Sequence, residues 1–173
     1  MRVLESDFNL AVDNVVSTLD GILQLYESQK KLLRILVERE NVFYTSPTNS
    51  GKTIPPVILP AILKELNKLG YNFPLHPKVL FITVLNSLQS SLTSSMDQVG
   101  IRCEVLNKEN AEYVLASEAS VIFVGPEILK LNEVSKVLLQ QRSKFVCKVI
   151  DEAHLGKIFD KLSPTGLCWN SIF

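Results

Sequence analysis

Apolar positions along the chain fall into two kinds of run. Short, nearly unbroken stretches occupy residues 42–45, 79–84, 121–124 and 145–150, reading VFYT, VLFITV, VIFV and FVCKVI, with a weaker one at 104–106. Runs of this length with little alternation predict strands buried on both faces of a parallel sheet. Between them apolar residues recur at helical spacing, over 28–37, 57–69, 88–99 and 126–139. A further amphipathic helix is expected over 6–25, with Phe8, Val12, Val15, Val16 and Leu19 as its stripe. Over 28–37 the residues Leu32, Leu33, Ile35 and Leu36 cluster on one side, leaving Lys30, Lys31 and Arg34 to reach solvent. Strands and helices that alternate in this way build βαβ units, so the fold class is α/β, a parallel sheet flanked by helices. Residues 163–173 carry no clear period.

Composition narrows the picture. With 173 residues, 46% of them apolar, the chain can bury the core of one sizeable domain. Lys plus Arg and Asp plus Glu both total 18, so no global field draws the protein to nucleic acid, and any such contact is local. No segment reaches the roughly 18 uninterrupted apolar residues that span a bilayer. The N-terminal MRVLESDFNL has acids where a signal peptide is apolar. The expectation is a soluble, intracellular protein with no membrane partner. Cys103, Cys147 and Cys168 are odd in number and widely spaced, which suits reduced packing residues better than a disulfide framework or a zinc site.

The chemistry begins after the strand expected at 42–45. There Ser46-Pro47-Thr48-Asn49-Ser50-Gly51-Lys52-Thr53 leads into a helical run, the strand, loop and helix order that a Walker A phosphate-binding loop requires. Gly51 lets the backbone approach phosphate oxygens, and successive N–H groups, from Thr48 onward, face the anion. Lys52 supplies a compact charge to the β- and γ-phosphates of ATP, and the Thr53 hydroxyl can hold Mg²⁺. Two positions depart from the usual motif: Ser46 stands for its first glycine, and Asn49 occupies a position where glycine is common. Asn tolerates positive φ better than most residues. Pro55 and Pro56 remove two donors near the first helical turn, where a distortion is expected.

Taken alone, SGKT also matches an ordinary polar turn. The second motif changes that. The run FVCKVI leads into Asp151-Glu152-Ala153-His154, an apolar strand ending in two carboxylates at the ligand edge of an open α/β sheet. Asp151 then coordinates Mg²⁺, Glu152 polarises the attacking water, and His154 senses the nucleotide state.

PTNSGKT together with DEAH resembles motifs I and II of superfamily 2 helicases of the DEAD/DEAH type, and smaller features resemble the RecQ group. Tyr26-Glu27-Ser28-Gln29 is similar to the aromatic-x-x-Gln element that binds adenine in this family, at the family's spacing from Lys52. A Gln amide offers the donor and acceptor that an adenine edge needs. Val84 to Leu88 with Met96-Asp97-Gln98-Val99 resembles motif Ia, although Ser87 replaces its proline. Phe123-Val124-Gly125-Pro126-Glu127-Ile128-Leu129 resembles the family's PExL segment. The resemblance implies that Ser87, Ser90, Pro126 and Glu127 line a nucleic-acid track, DNA being favoured over RNA and the nucleus over the cytoplasm. Hydroxyls such as those of Ser87, Ser90 and Ser91 hold phosphates without net charge.

The resemblance further implies a RecA-like P-loop NTPase domain over residues 26–173, incomplete at its C-terminus, preceded by a helical extension over 1–25. The expected activity is that of an ATP-dependent DNA helicase. After DEAH, the sequence Leu155-Gly156-Lys157-Ile158-Phe159-Asp160 does not reproduce the aromatic-rich loop of bacterial RecQ proteins, and no motif III follows. A second RecA-like domain is the expected partner, because it supplies an arginine finger worth on the order of 10³ to 10⁵ in turnover. The isolated chain is therefore expected to bind ATP weakly and to separate no strands. The alternatives are a non-catalytic nucleotide- or nucleic-acid-binding module and another P-loop translocase.

Overall fold

A computed structural model describes residues 2–19, 24–45, 47, 50–83, 96 and 101–150. The chain divides into two compact units, Met1–Pro77 and Lys78–Phe173. Among the described residues no helix is long and apolar enough to cross a membrane.

The first unit is helical. Helix α1 (Glu5–Thr18) buries Phe8, Ala11, Val12 and Val15, the stripe its period predicts, with Leu19 buried just past its end. Helix α2 (Glu27–Val37) buries Leu32, Leu33 and Val37. Helix α3 (Ile54–Lys68) packs against both. Its buried set of Val57, Ile58, Leu59, Ile62, Leu63 and Leu66 leaves almost no polar face, as befits a central helix. The sequence places its start at residue 57, yet the helix begins at Ile54. Pro55 and Pro56 fall in the first turn, whose N–H groups have no intrahelical partner to lose. Pro60 lies deeper and removes the bond that an N–H there would make to the Pro56 carbonyl.

Arg34 corrects its sequence reading. Rather than reaching solvent, its guanidinium lies over the Phe8 ring at 5.2 Å and donates to the Val3 carbonyl. It also pairs with Glu38 at 3.0 Å and approaches Glu5 at 3.7 Å. From the far end of α3, the Tyr71 hydroxyl donates to Asp7 at 2.8 Å and accepts from the Leu4 N–H at 2.9 Å. Two side chains thus fasten the N-terminal segment to the rest of its unit.

The second unit holds a four-stranded parallel sheet. Its strands are β1 (Lys78–Ile82), β2 (Cys103–Leu106), β3 (Val121–Val124) and β4 (Phe145–Ile150), in spatial order β2-β3-β1-β4. Helix α4 (Ala111–Ala116) connects β2 to β3, while α5 (Pro126–Leu129) and α6 (Asn132–Gln140) precede β4. Leu80, Ile82, Leu106, Ile122 and Val124 meet Val114, Leu115, Leu129, Val134 and Leu138 of these helices in one core. On the opposite face Phe81 and Phe123 pack ring to ring at 5.3 Å. The architecture is the expected α/β one, consistent with a RecA-like domain. β2 and β3 lie on one side of β1 and β4 on the other, and open α/β sheets bind ligands at the carboxyl edge of such a reversal.

Three details differ from the sequence pattern. Residues 42–45 form no strand, and Phe43 is 79% exposed, because an apolar run becomes a strand only where a neighbour satisfies its backbone. The helix expected over 126–139 is two helices, broken where Leu131 takes extended angles (φ −75°, ψ 122°), with the Ser135 hydroxyl donating to the Leu129 carbonyl across the break. Lys78 starts β1 one residue early and is buried, its ammonium donating to the Ser117 and Ala119 carbonyls at 2.7 and 2.8 Å. Of the helix expected over 88–99, all but Met96 lies outside the described residues. Among those residues β4 pairs with β1 alone. At its centre burial lowers the pKa of Lys148, and it pushes that of Cys147 up to about 12.

Candidate functional site

The site is built where α2 begins. Tyr26 and Gln29 are the first and fourth residues of a capping arrangement: the Gln29 Oε1 reaches back to accept the Tyr26 N–H at 2.8 Å. This folds the amide inward, where Gln29 is 1% exposed. Its Nε2 donates to the carbonyls of Ser50 and Gly51, at 3.2 and 3.0 Å. The start of α2 is thereby tied to the turn that precedes α3.

That turn has the shape its glycine permits. Gly51 sits at φ +71°, in the left-handed region, and its carbonyl also accepts the Ile54 N–H at 3.1 Å. A Cβ added at Gly51 would stand 2.6 Å from Gln29 Nε2 and 3.0 Å from Ile54 Cδ1, so the position demands glycine for space as well as for φ. Thr53 directly precedes α3 without a side-chain capping bond, and Ser50, Gly51, Lys52 and Thr53 are all half-buried. The Ser50 N–H donates to the Pro47 carbonyl at 3.3 Å. A left-handed glycine, a lysine and a hydroxyl at the N-terminus of a long helix form a donor set suited to phosphate, and Thr53 alone among them adds an oxygen suited to Mg²⁺.

The structure brings Gln29, Ser50, Gly51, Lys52 and Thr53 into one neighbourhood. Thr48, Asn49, Ser87, Ser90, Asp151, Glu152 and His154 lie outside the described residues. Asp151 directly follows Ile150, the last residue of β4. In the second unit Pro126 and Glu127 form the first turn of α5, after β3. A Cβ on Gly125 would meet a Glu127 carboxylate oxygen at 2.1 Å, so this side chain folds back over the glycine at its own helix start, a favourable place for a negative charge. Among the described residues, no group of three or more His, Cys, Asp or Glu is gathered as a metal site. The period analysis missed Arg34 and Lys78. Lys78 directly precedes an apolar run, whereas Arg34 shares a helix face with Lys30 and Lys31 and carries no such signal.

The second unit is an α/β unit with a parallel sheet, and the first carries a left-handed glycine turn ahead of a long helix. No family model matches the chain. It is similar to the ATP-dependent helicase Lhr-Core of Sulfolobus acidocaldarius, with 22% identity over 144 residues, 73% of this chain and 16% of that protein. The chain thus spans less than a fifth of the relative's length. This likeness supports a relationship to helicases in general and does not distinguish among their groups.

Proposed function

We propose that the chain is the first motor domain of an ATP-dependent nucleic-acid helicase, of the RecQ-like type and acting on DNA, in the nucleus. The observation that carries this reading is the left-handed Gly51 turn, followed by Lys52 and Thr53 at the start of α3. In the proposed site Ser50, Gly51 and Lys52, with Thr48 and Asn49, hold the polyphosphate, and Thr53 and Asp151 hold Mg²⁺. Held there, Mg²⁺ would supply positive charge against the charge that develops on the transferring phosphoryl group. Glu152 orients the attacking water, and His154 links the nucleotide to the rest of the motor. Ser87, Ser90, Pro126 and Glu127 border the nucleic-acid strand, and a second RecA-like domain completes the catalytic cleft.

The test uses the full-length protein that carries this segment. Lys52→Ala is expected to abolish DNA-stimulated ATP hydrolysis while leaving the circular dichroism spectrum unchanged; hydrolysis at the wild-type rate would refute the site. Glu152→Gln is expected to retain ATP binding and lose turnover, which separates the water-orienting role from the metal role of Asp151.

A further inference from the structure

The hydrogen-bonding capacity of Gln29 is almost fully used. The Gln29 Nε2 donates to the carbonyls of both Ser50 and Gly51, while its oxygen accepts from Tyr26. An adenine edge read through a donor and acceptor pair would compete with the Ser50 and Gly51 carbonyls for the amide nitrogen. The contacts describe a different task. In a planar trans peptide, a carbonyl and the following N–H point in opposite directions, and no peptide bond among the described residues is cis. Drawing the Ser50 and Gly51 carbonyls towards Gln29 therefore turns the N–H groups of Gly51 and Lys52 to the other side of the loop. Two consecutive N–H groups aimed the same way, next to a helix N-terminus, form an anion-binding concavity.

From this geometry we infer that Gln29 is a positioning residue: it grips the phosphate-binding turn from behind and presets its N–H groups for polyphosphate, whichever base the nucleotide carries. The inference rests on the reading of residues 50–53 as a polyphosphate site. The burial of Gln29 strengthens the grip, since donors and acceptors shielded from water must keep their protein partners.

The experiment compares the wild type, Gln29→Glu and Lys52→Ala by calorimetric titration with Mg-ATP, Mg-GTP and Mg-tripolyphosphate, the last having no base. Glutamate keeps the acceptor for the Tyr26 N–H and removes both donors. Gln29→Glu is expected to weaken all three ligands by a common factor, on the order of ten-fold, the effect of one or two net hydrogen bonds. Faster hydrogen exchange at the Ile54 amide should accompany it, with a lowered thermal midpoint, because a buried carboxylate then faces two carbonyl oxygens. Weakening of ATP alone, or of none of the three, would overturn the assignment. Should the variant fail to fold, NMR of the wild-type Gln29 side-chain amide decides: equal shifts with ATP and tripolyphosphate support positioning, and a shift with ATP only overturns it. If the wild type binds no ligand in a Lys52-dependent way, the phosphate-site reading fails and this inference with it, an outcome distinct from Lys52-dependent binding that Gln29→Glu leaves intact.

Discussion

Gly51 carries two constraints at one atom, the left-handed φ and the absence of room for a Cβ. Gly51→Ala is expected to lower unfolding free energy by about 1–2 kcal/mol in urea denaturation, the range typical of forcing a non-glycine residue into left-handed backbone. It should also weaken tripolyphosphate, because the new methyl displaces the Gln29 amide. The need for glycine at 51 was legible in the sequence from the loop that leads into a helix, although the strand expected before that loop does not form. The partner of Gln29 was not: an amide offers the same donors and acceptor to a base edge or to backbone carbonyls, and only the fold chooses between them. Cys147 is simpler. Thiolate is the reactive form, and burial pushes the pKa of this thiol up to about 12, with Lys148 opposing only weakly. At pH 8 the folded protein should leave Cys147 unmodified by iodoacetamide, and urea should expose it to alkylation, as peptide mass mapping would show.

At the scale of elements, burial patterns that need no partner information were the readable ones. β3 and β4 match the runs at 121–124 and 145–150, because parallel strands buried on both faces have a continuous apolar code. The break between α5 and α6 was hidden, since Ile128, Leu131, Val134 and Leu138 keep a helical spacing straight through it. The run at 42–45 has strand composition without strand pairing, a property of neighbours rather than of residues. The fastening of α1 was equally invisible, as Arg34 sits among lysines on a helix that looks amphipathic. Its ring contact, carbonyl bond and ion pairs predict that Arg34→Ala costs about 2 kcal/mol of stability. Arg34→Lys should recover only part of that, because an ammonium cannot cover Phe8 and meet two carboxylates at once. Denaturant titration of both variants checks the order.

Over the whole molecule, equal numbers of acidic and basic residues argue that the proposed nucleic-acid binding has a shallow salt dependence. With few phosphates neutralised, the slope of log affinity against log salt is expected near −1 to −2, about 0.9 per phosphate contact, in fluorescence anisotropy titrations. A slope of the size seen for strongly basic DNA binders would contradict the local-contact picture. Ligand linkage gives a second global readout: Mg-ATP at ten times its Kd should add about 1.4 kcal/mol to the wild type and nothing to Lys52→Ala. Finally, β4 is an apolar ribbon, FVCKVI, paired on one side among the described residues, and its sole charge is Lys148. Such a ribbon recruits strands from other molecules unless a charge forbids it. Burial makes this ammonium shed its proton at a lower pH than ordinary lysines do, so mild alkali disarms the gatekeeper first. Light scattering should climb at a pH below that at which ordinary lysines lose their charge, and Lys148→Arg, which stays cationic, should keep the solution clear.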